Sequence, residues 1–328
     1  VRKIPLIWST ISITLSPASE YFIRSKRDAY FDIKEENGVK HVVETQQFKN
    51  KRFRFIEKTL YKLLEIQDIG NSVRKQLESI GVRQHSLTDL VKNDLDYIES
   101  FFRFEEGNSF KKTQFIGKQE YIRRALKKLN EVISYDKNPN PLLSQFLHGD
   151  AYPSNIIVRN DNIRLIDLFN AQFGHWIFDI VDFIDYNRLF GNITEEQQKS
   201  LYTTAKNIKV GYVKEKGLEE MLESEFDKHT SIMKIKRSLR AIGVLSQSIL
   251  RAQDGTRRRG QTSLHENNSY ELAEQIEGYI TRRIAYCSYL RETIKSCEYE
   301  EAKSLEVILA PYLMKYAADS YLMKYAAD

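Results

Sequence analysis

The chain has 328 residues, of which 41% are hydrophobic and 29% charged, and its formal net charge is +5. This composition is typical of a globular protein long enough for two domains, and it excludes an intrinsically disordered chain. Apolar runs stay well short of the roughly 18 residues of a membrane helix, and the first twenty residues lack the layout of a signal peptide. We therefore expect a cytoplasmic protein without a membrane partner.

Three short segments near the N-terminus predict antiparallel strands. They are rich in β-branched and aromatic residues and are separated by polar turns: residues 11–15, 21–23 and 29–33. Lys34 directly follows the third segment. The turn after the first segment, Ser16–Ser19, contains no glycine, although loops that cover phosphates usually need glycine to bring backbone amides close.

Helical periodicity follows these strands. Apolar residues at helical spacing predict one long amphipathic helix, or two in succession, over residues 42–66. Glu44 and Glu57 lie within this segment. For each of them, an exposed helix glutamate is the plain structural alternative to a functional role.

The next two segments predict a strand and then a helix. The aromatic residues within 97–110 favour a strand, which ends in a turn at Glu105, Glu106 and Gly107. An apolar period of 3.6 residues predicts an amphipathic helix over residues 118–133, with its basic residues on the outside.

The most informative segment of the chain is residues 148–179. His148 and Asp150 are followed five residues later by Asn155, and Asp167 comes after two short apolar runs. The apolar runs and the polar turn between them predict a β-hairpin over residues 155–166. Such a hairpin carries Asn155 and Asp167 to the same end.

Carboxylate and amide oxygens in this order suit phosphoryl transfer from a magnesium nucleotide. Mg²⁺ is usually held by one or two protein oxygens together with substrate phosphates, and Asn155 and Asp167 meet that need. Asp150, in the preceding loop, can accept a hydrogen bond from a substrate hydroxyl. The structural alternative makes His148 a buried hydrogen-bonding histidine and the other three residues turn formers or caps.

Beyond Asp179 the sequence is almost wholly helical as far as Leu313. We expect breaks at residues 191–194, near Gly217, at residues 254–262 and near Pro311. The break at 254–262 predicts a loop that presents Arg257, Arg258 and Arg259, which suits either a phosphate or solvent.

Acidic residues recur at the start of this helical region. Asp179, Asp182 and Asp185 are spaced by three, which predicts that they share a helix face. Together with Glu195 and Glu196, they suggest an acidic wall for a cationic substrate. The structural alternative is that Asp179 fixes the loop before it by hydrogen bonds and that the other two face solvent.

The C-terminus contains a short duplication. The octapeptide YLMKYAAD occurs at residues 312–319 and again at 321–328. A repeat of eight residues is too short for a solenoid unit, so we assign it no function.

The segment 148–179 resembles the catalytic and metal-binding loops of the aminoglycoside phosphotransferase and choline kinase group. In that group, the catalytic loop has the sequence HGD with an asparagine five residues after the aspartate, and the metal-binding aspartate follows an isoleucine. His148–Asp150, Asn155 and Ile166–Asp167 match this pattern. Gly174 and Asp179 match a glycine and an aspartate found downstream in the group.

The resemblance implies an α+β, bilobal protein-kinase-like fold, with a small antiparallel β-sheet lobe and a larger, mainly helical lobe. We place the nucleotide-binding lobe at residues 1–104 and the catalytic and substrate-binding lobe at residues 105–328, of which residues 316–328 form a tail.

For the catalytic lobe, the resemblance implies a role for each matching residue. Asp150 is then the catalytic carboxylate, Asn155 and Asp167 the Mg²⁺ ligands, and His148 and Asp179 the supporting residues. These assignments depend on the match of the motif and its spacing.

For the nucleotide-binding lobe, the resemblance implies that Lys34 anchors the phosphates. A helix glutamate pairs with that lysine, and we favour Glu57 over Glu44. Glu105 then lies in the linker whose backbone holds the adenine. An exposed lysine at a strand end and an edge strand ending in a turn remain the alternatives for Lys34 and Glu105.

The leading hypothesis is a Mg²⁺-dependent kinase that moves the γ-phosphoryl group of ATP or GTP to a hydroxyl of an aminoglycoside, a sugar or an amino alcohol. A second hypothesis is a pseudokinase, which binds or scaffolds without turnover, and the glycine-free turn at Ser16–Ser19 motivates it. A nucleic-acid partner bound through Arg257–Arg259 is not expected.

Overall fold

The computed structural model describes residues 31–36, 39–44, 46–107, 112–135, 137, 141–159, 162–214, 217–259 and 266–314. Of these, residues 31–50, 112–114, 221, 254–259 and 266–275 are described by their backbone alone. The two predicted strands at 11–15 and 21–23, the turn at Ser16–Ser19 and the second copy of the octapeptide lie outside the described residues.

The chain forms two compact units, and each is built from two chain segments. The first unit takes the chain up to Gln84 and then Ser144–Phe226; the second takes His85–Leu143 and the chain from Asp227 onward. This division differs from the predicted boundary between residues 104 and 105. Small antiparallel sheets and many helices agree with the expected α+β class.

The first unit begins with a hairpin and a long helix. Strand β1 (Phe31–Glu36) pairs antiparallel with β2 (Val39–Glu44), and Lys34 lies opposite His41. Lys34 therefore lies inside a strand rather than at its end. Helix α1 (Gln46–Ser72) confirms most of the helix predicted over residues 42–66, but Glu44 belongs to β2.

Helix α1 forms the core of the first unit. Leu60, Leu63 and Leu64 are fully buried on it, at the spacing of an apolar helix face. Near its end, a Cβ on Gly70 would lie 2.3 Å from the ring of Phe146, so only glycine allows the helix to approach this closely. A short helix, α2 (Arg74–Ser79), follows.

Two small sheets and two helices complete the first unit. Strand β3 (Gln145–Leu147) pairs with β6 (Gln172–Gly174), and β4 (Ile156–Arg159) pairs with β5 (Asn162–Leu165). The predicted hairpin is thus confirmed to within one residue. Helices α5 (Ile177–Leu189) and α6 (Glu195–Val213) follow, and the predicted break between them is confirmed.

The second unit is helical wherever it is described. It contains α3 (Leu87–Glu106), α4 (Lys112–Ile133), α7 (Glu219–Arg259), α8 (Glu266–Ser296) and α9 (Glu300–Leu313). Helix α4 confirms the helix predicted over residues 118–133. No helix in the described part of the chain combines the length and the apolar character needed to cross a membrane.

The strand predicted within residues 97–110 is wrong, because α3 is a helix that runs to Glu106. Ile98, Phe101 and Phe102 are buried at helical spacing, so packing overrides the β-preference of the aromatic residues. A capping box starts the helix: Ser86 accepts a hydrogen bond from the Asp89 N–H, and the Asp89 carboxylate accepts one from the Ser86 N–H.

Because residues 97–106 form a helix, the strand and linker expected here are absent, and the expected role of Glu105 in the adenine-binding linker depended on them. Glu105 lies in the last turn of α3, and its carboxylate forms an ion pair with Arg283 of α8. The guanidinium of Arg283 also lies 4.1 Å from the ring centroid of Phe104. The observed contacts of Glu105 therefore tie two helices of the second unit together.

The break predicted at residues 254–262 is confirmed in part, because α7 ends within it at Arg259, whereas the break predicted near Pro311 is wrong. Residues 257–259 belong to the last turn of α7 and form no loop, and Pro311 lies inside α9, which ends two residues later at Leu313. Pro311 removes one backbone hydrogen bond, the one from its own position to the Val307 carbonyl, and the helix ends soon after it.

Candidate active site

The β4–β5 hairpin brings Asn155 and Asp167 to the same end, as its sequence predicts. Ile156 pairs with Leu165, and beyond that pair the Ile166 N–H donates to the Asn155 carbonyl at 2.9 Å. Asn155 therefore lies across from Ile166, and Asp167 is the next residue along the chain.

The loop from Asp150 to Asn155 is held by its own hydrogen bonds. The Tyr152 N–H donates to the Asp150 carbonyl at 2.9 Å, and the Asn155 N–H donates to the Tyr152 carbonyl at 2.9 Å. The side-chain amide of Asn155 donates to the Asp150 carbonyl at 2.9 Å and to its carboxylate at 3.3 Å. Because the amide nitrogen is used in this way, the amide oxygen of Asn155 is the group that can bind a cation.

Asp167 has an unusual backbone and an unsatisfied oxygen. Its φ is 62° and its ψ is 67°, and no other described residue except glycine has a positive φ. Such a conformation costs an L-residue on the order of 1 kcal/mol. Its Oδ1 atom is buried and has no hydrogen-bond partner within the protein. Strain and an unpaired buried oxygen at the same residue point to a functional role.

Buried His148 links the loop of Asp150 to the loop of Asp167. Its Nδ1 accepts a hydrogen bond from the Asp150 N–H at 3.3 Å, so its Nε2 carries the proton and donates to the Ile166 carbonyl at 2.9 Å. His148 therefore orients the backbone on both sides of the site, and its ring nitrogens are both engaged.

Asp179 fixes the backbone of the same loop from the first turn of α5. Its carboxylate accepts hydrogen bonds from the N–H groups of His148 at 2.7 Å and Gly149 at 2.9 Å. Complete burial raises the pKa of Asp179 to about 6, against the opposing effects of His148 and of these two hydrogen bonds.

Gly149 is the point at which the two loops touch. Its φ is 79°, and a Cβ at this position would lie 2.0 Å from the Asn170 carbonyl oxygen. Both the backbone conformation and the close approach therefore require glycine here. This contact between the loops could not have been read from the motif alone, because its second partner lies 21 residues away in the sequence.

A comparison with protein-family models identifies this part of the chain. Residues 100–206 match the phosphotransferase enzyme family. The matched residues include Asp150, Asn155 and Asp167, so the resemblance seen in the sequence is confirmed over this segment. Over these residues the chain is therefore similar to phosphotransferases. A search of curated proteins found no significant match.

The side-chain oxygens of Asn155 and Asp167 are of the kind that bind Mg²⁺. Asp167 offers a carboxylate oxygen without a hydrogen-bond partner, and Asn155, whose carbonyl accepts from the Ile166 N–H, offers an amide oxygen. Among the described residues, no group of three or more His, Cys, Asp and Glu side chains could hold a metal ion. A cation at Asn155 and Asp167 would therefore take its other ligands from phosphates and water, as Mg²⁺ commonly does.

The acidic wall predicted from the spacing of three aspartates is wrong. Asp179, Asp182 and Asp185 are all fully buried, and Asp185 accepts hydrogen bonds from Gln198 at 2.9 Å and from the Tyr202 hydroxyl at 2.7 Å. Helix α5 is buried on most of its surface, so a shared helix face does not face solvent. Of the five predicted acidic residues, Glu195 and Glu196 are exposed.

The predicted nucleotide-side residues are not brought together with this site by any described contact. The side chain of Lys34 lies outside the described side chains, so its pairing with Glu57 stays a prediction. Glu57 lies on α1 of the first unit and is half-buried. Glu105 lies in the second unit, in its ion pair with Arg283.

Proposed function

We propose that the protein transfers the γ-phosphoryl group of ATP or GTP to a hydroxyl group of a small molecule. The observation that carries this proposal is Asp167: its backbone is strained, and its buried oxygen has no protein partner, at a point joined to Asp150 through Asn155. A structural cap would use that oxygen in a hydrogen bond. A residue that holds a ligand keeps it available.

Asn155 and Asp167 would hold Mg²⁺, which when bound neutralises the charge of the nucleotide phosphates. Lys34 is the proposed phosphate anchor and Glu57 its partner, as the family resemblance implies. Little further covalent chemistry is required of the protein, because phosphoryl transfer depends mainly on positioning and charge.

Asp150 orients the acceptor in this reaction. Its carboxylate accepts a hydrogen bond from the acceptor hydroxyl and receives the proton as the hydroxyl oxygen bonds to the γ-phosphorus. The bond between that phosphorus and the β,γ-bridging oxygen breaks, which leaves the nucleoside diphosphate. The Asn155 amide, 3.3 Å from the Asp150 carboxylate, restricts its orientation throughout.

His148, Gly149 and Asp179 do not touch the reactants in this account. They hold the backbone of the loop, through the two hydrogen bonds to Asp179 and the contact between Gly149 and Asn170. Their role is to keep Asp150 at a fixed distance from the Asp167 turn, since small displacements of a reacting group cost much of the rate.

The test is the Asp150→Asn variant, assayed against a pool of aminoglycosides, sugars and amino alcohols that first identifies a turned-over acceptor. We expect turnover to fall by about 10³-fold or more, because a carboxamide cannot take the proton. The affinity for MgATP should change by less than about twofold, since Asp150 is not a proposed metal ligand.

Asp96→Asn provides a matched control, because Asp96 is an exposed aspartate paired with Lys92 outside the site. It should leave turnover unchanged. Full turnover in Asp150→Asn would contradict the proposed function. So would a wild-type protein that binds no MgATP and consumes none with any acceptor in the pool.

A further inference from the structure

Three half-buried aromatic side chains form a continuous row that begins at the loop of Asp150. The ring centroids of Tyr152 and Tyr186 are 5.3 Å apart with an interplanar angle of 89°, and those of Tyr186 and Phe190 are 4.6 Å apart. Tyr186 lies on α5, and Phe190 caps the end of that helix one turn later. Both distances lie in the range of favourable aromatic contact, so the row is a packed surface.

One end of this row lies next to the proposed catalytic carboxylate. Tyr152 is two residues from Asp150, and a backbone hydrogen bond of 2.9 Å closes the turn between them. A second hydrogen bond of 2.9 Å joins the Tyr152 carbonyl to the Asn155 N–H. An acceptor whose hydroxyl reaches Asp150 must place the rest of its atoms over neighbouring residues, and Asn155 and Asp167 are reserved for the nucleotide. Tyr152 is the one aromatic residue of this loop, which spans residues 150–155.

The charges around the row do not select a cation. The three aspartates of α5 are fully buried, so they cannot contact an acceptor. The two exposed acids that follow α5, Glu195 and Glu196, both interact electrostatically with Arg188 and Lys199. Arg188 and Lys199 therefore offset the charges of Glu195 and Glu196, which leaves Asp150 as the carboxylate beside the row.

We propose that Tyr152, Tyr186 and Phe190 form the wall against which the acceptor packs, and that the acceptor is an uncharged, ring-bearing alcohol of the carbohydrate class. This inference rests on the proposed function. A ring with an apolar face covers an aromatic side chain well, and its hydroxyls remain free to reach Asp150. A polycationic acceptor would need exposed, unbalanced carboxylates, which this wall lacks.

The test compares neutral hexoses, pentoses and N-acetylated amino sugars with kanamycin-type aminoglycosides and choline as acceptors. We expect the neutral sugars to be preferred. In the Tyr152→Ala variant, KM for the preferred sugar should rise by about tenfold while kcat changes by less than about threefold, as expected for the loss of an aromatic contact. KM for MgATP should stay within about twofold of the wild type.

Two further variants separate packing from a general disturbance of the loop. Tyr152→Phe keeps the ring and should restore the wild-type KM for the sugar. Phe190→Ala removes the far end of the row and should raise the same KM by about threefold. Thermal unfolding of each variant, measured alongside, identifies any that fails to fold, and Phe190→Ala then tests the wall without altering the loop.

Failure of this inference is distinct from failure of the proposed function. Suppose that Asp150→Asn abolishes turnover but neither Tyr152→Ala nor Phe190→Ala changes KM for the acceptor. The proposed acceptor wall is then wrong, whereas the proposed phosphotransferase function is supported. A preference for aminoglycosides or choline over every neutral sugar would likewise overturn the acceptor class. Absence of turnover with all acceptors would instead contradict the proposed function itself.

Discussion

Two carboxylates, Asp94 in the second unit and Asp167 in the first, differ in how their buried oxygens are paired. In the second unit, Asp94 accepts hydrogen bonds from Lys236 and from the Asn130 amide, the latter at 2.8 Å, and Lys236 also donates to the Asn130 oxygen at 2.7 Å. Each charged group in this cluster has a direct partner. In the first unit, Asp167 keeps a buried oxygen without any hydrogen-bond partner.

This difference distinguishes a structural carboxylate from the proposed functional one. A buried ion pair with complete hydrogen bonding holds helices together, and removing one partner leaves an uncompensated charge. A carboxylate with an unpartnered oxygen and a strained backbone contributes little to folding and is available for a ligand. Asp179 lies between these cases, because it is fully buried but hydrogen-bonded to the loop of the site.

The largest stability effect should come from breaking the paired cluster. Lys236→Met leaves the Asp94 carboxylate buried without its cation, so we expect the free energy of unfolding to fall by about 3–5 kcal/mol in chemical denaturation. The double variant Lys236→Met/Asp94→Leu removes both charges and should recover part of this loss. Turnover per folded molecule should be retained. A loss below about 1 kcal/mol would show that the cluster does not behave as a structural ion pair.

An intermediate effect is expected at Asp179. Asp179→Asn replaces one accepting oxygen with an NH₂ group that faces a backbone N–H, so unfolding free energy should fall by about 2 kcal/mol. Turnover should fall by about 10²-fold, because the loop of Asp150 loses its support. Stability lost without any loss of turnover would mean that Asp179 does not position the site.

The loss of unfolding free energy caused by Asp179→Asn should also depend on pH. Since the pKa of Asp179 is raised to about 6 by burial, the folded protein retains a proton that the unfolded chain releases near pH 4. The resulting stabilisation is fully present below about pH 4 and is lost as pH rises through about 6. The variant cannot titrate here, so its deficit relative to the wild type should be larger at pH 4 than at pH 7, by on the order of 2 kcal/mol. An equal loss of unfolding free energy at pH 4 and pH 7 would show that the raised pKa of Asp179 does not contribute to stability.

Local patterns in the sequence predicted those parts of the fold that depend on neighbouring residues. The β4–β5 hairpin follows from two apolar runs around a polar turn, and α4 follows from a 3.6-residue period. The strand predicted within residues 97–110 was wrong, because aromatic residues favour strands but also occur on the buried faces of helices. The spacing of Ile98, Phe101 and Phe102, together with the capping box at Ser86 and Asp89, carries the helical signal.

Features that depend on tertiary packing could not be predicted from the sequence. The spacing of Asp179, Asp182 and Asp185 places them on one helix, but whether a helix face is buried depends on what packs against it. The contact of Gly149 with Asn170 and the left-handed backbone of Asp167 arise only when two distant loops meet. The residues of the candidate site and the shared end of Asn155 and Asp167 were therefore predictable, whereas the contact between the two loops and the backbone of Asp167 were not.

The most direct test of the central claim is MgATP binding by Asp167→Asn, measured by calorimetry together with the free energy of unfolding. An asparagine tolerates the left-handed backbone but lacks the charge. We predict that MgATP affinity falls by about tenfold or more, while the free energy of unfolding stays within about 1 kcal/mol of the wild type. Unchanged MgATP affinity together with a loss of several kcal/mol in stability would show that Asp167 is a structural residue and contradict the account.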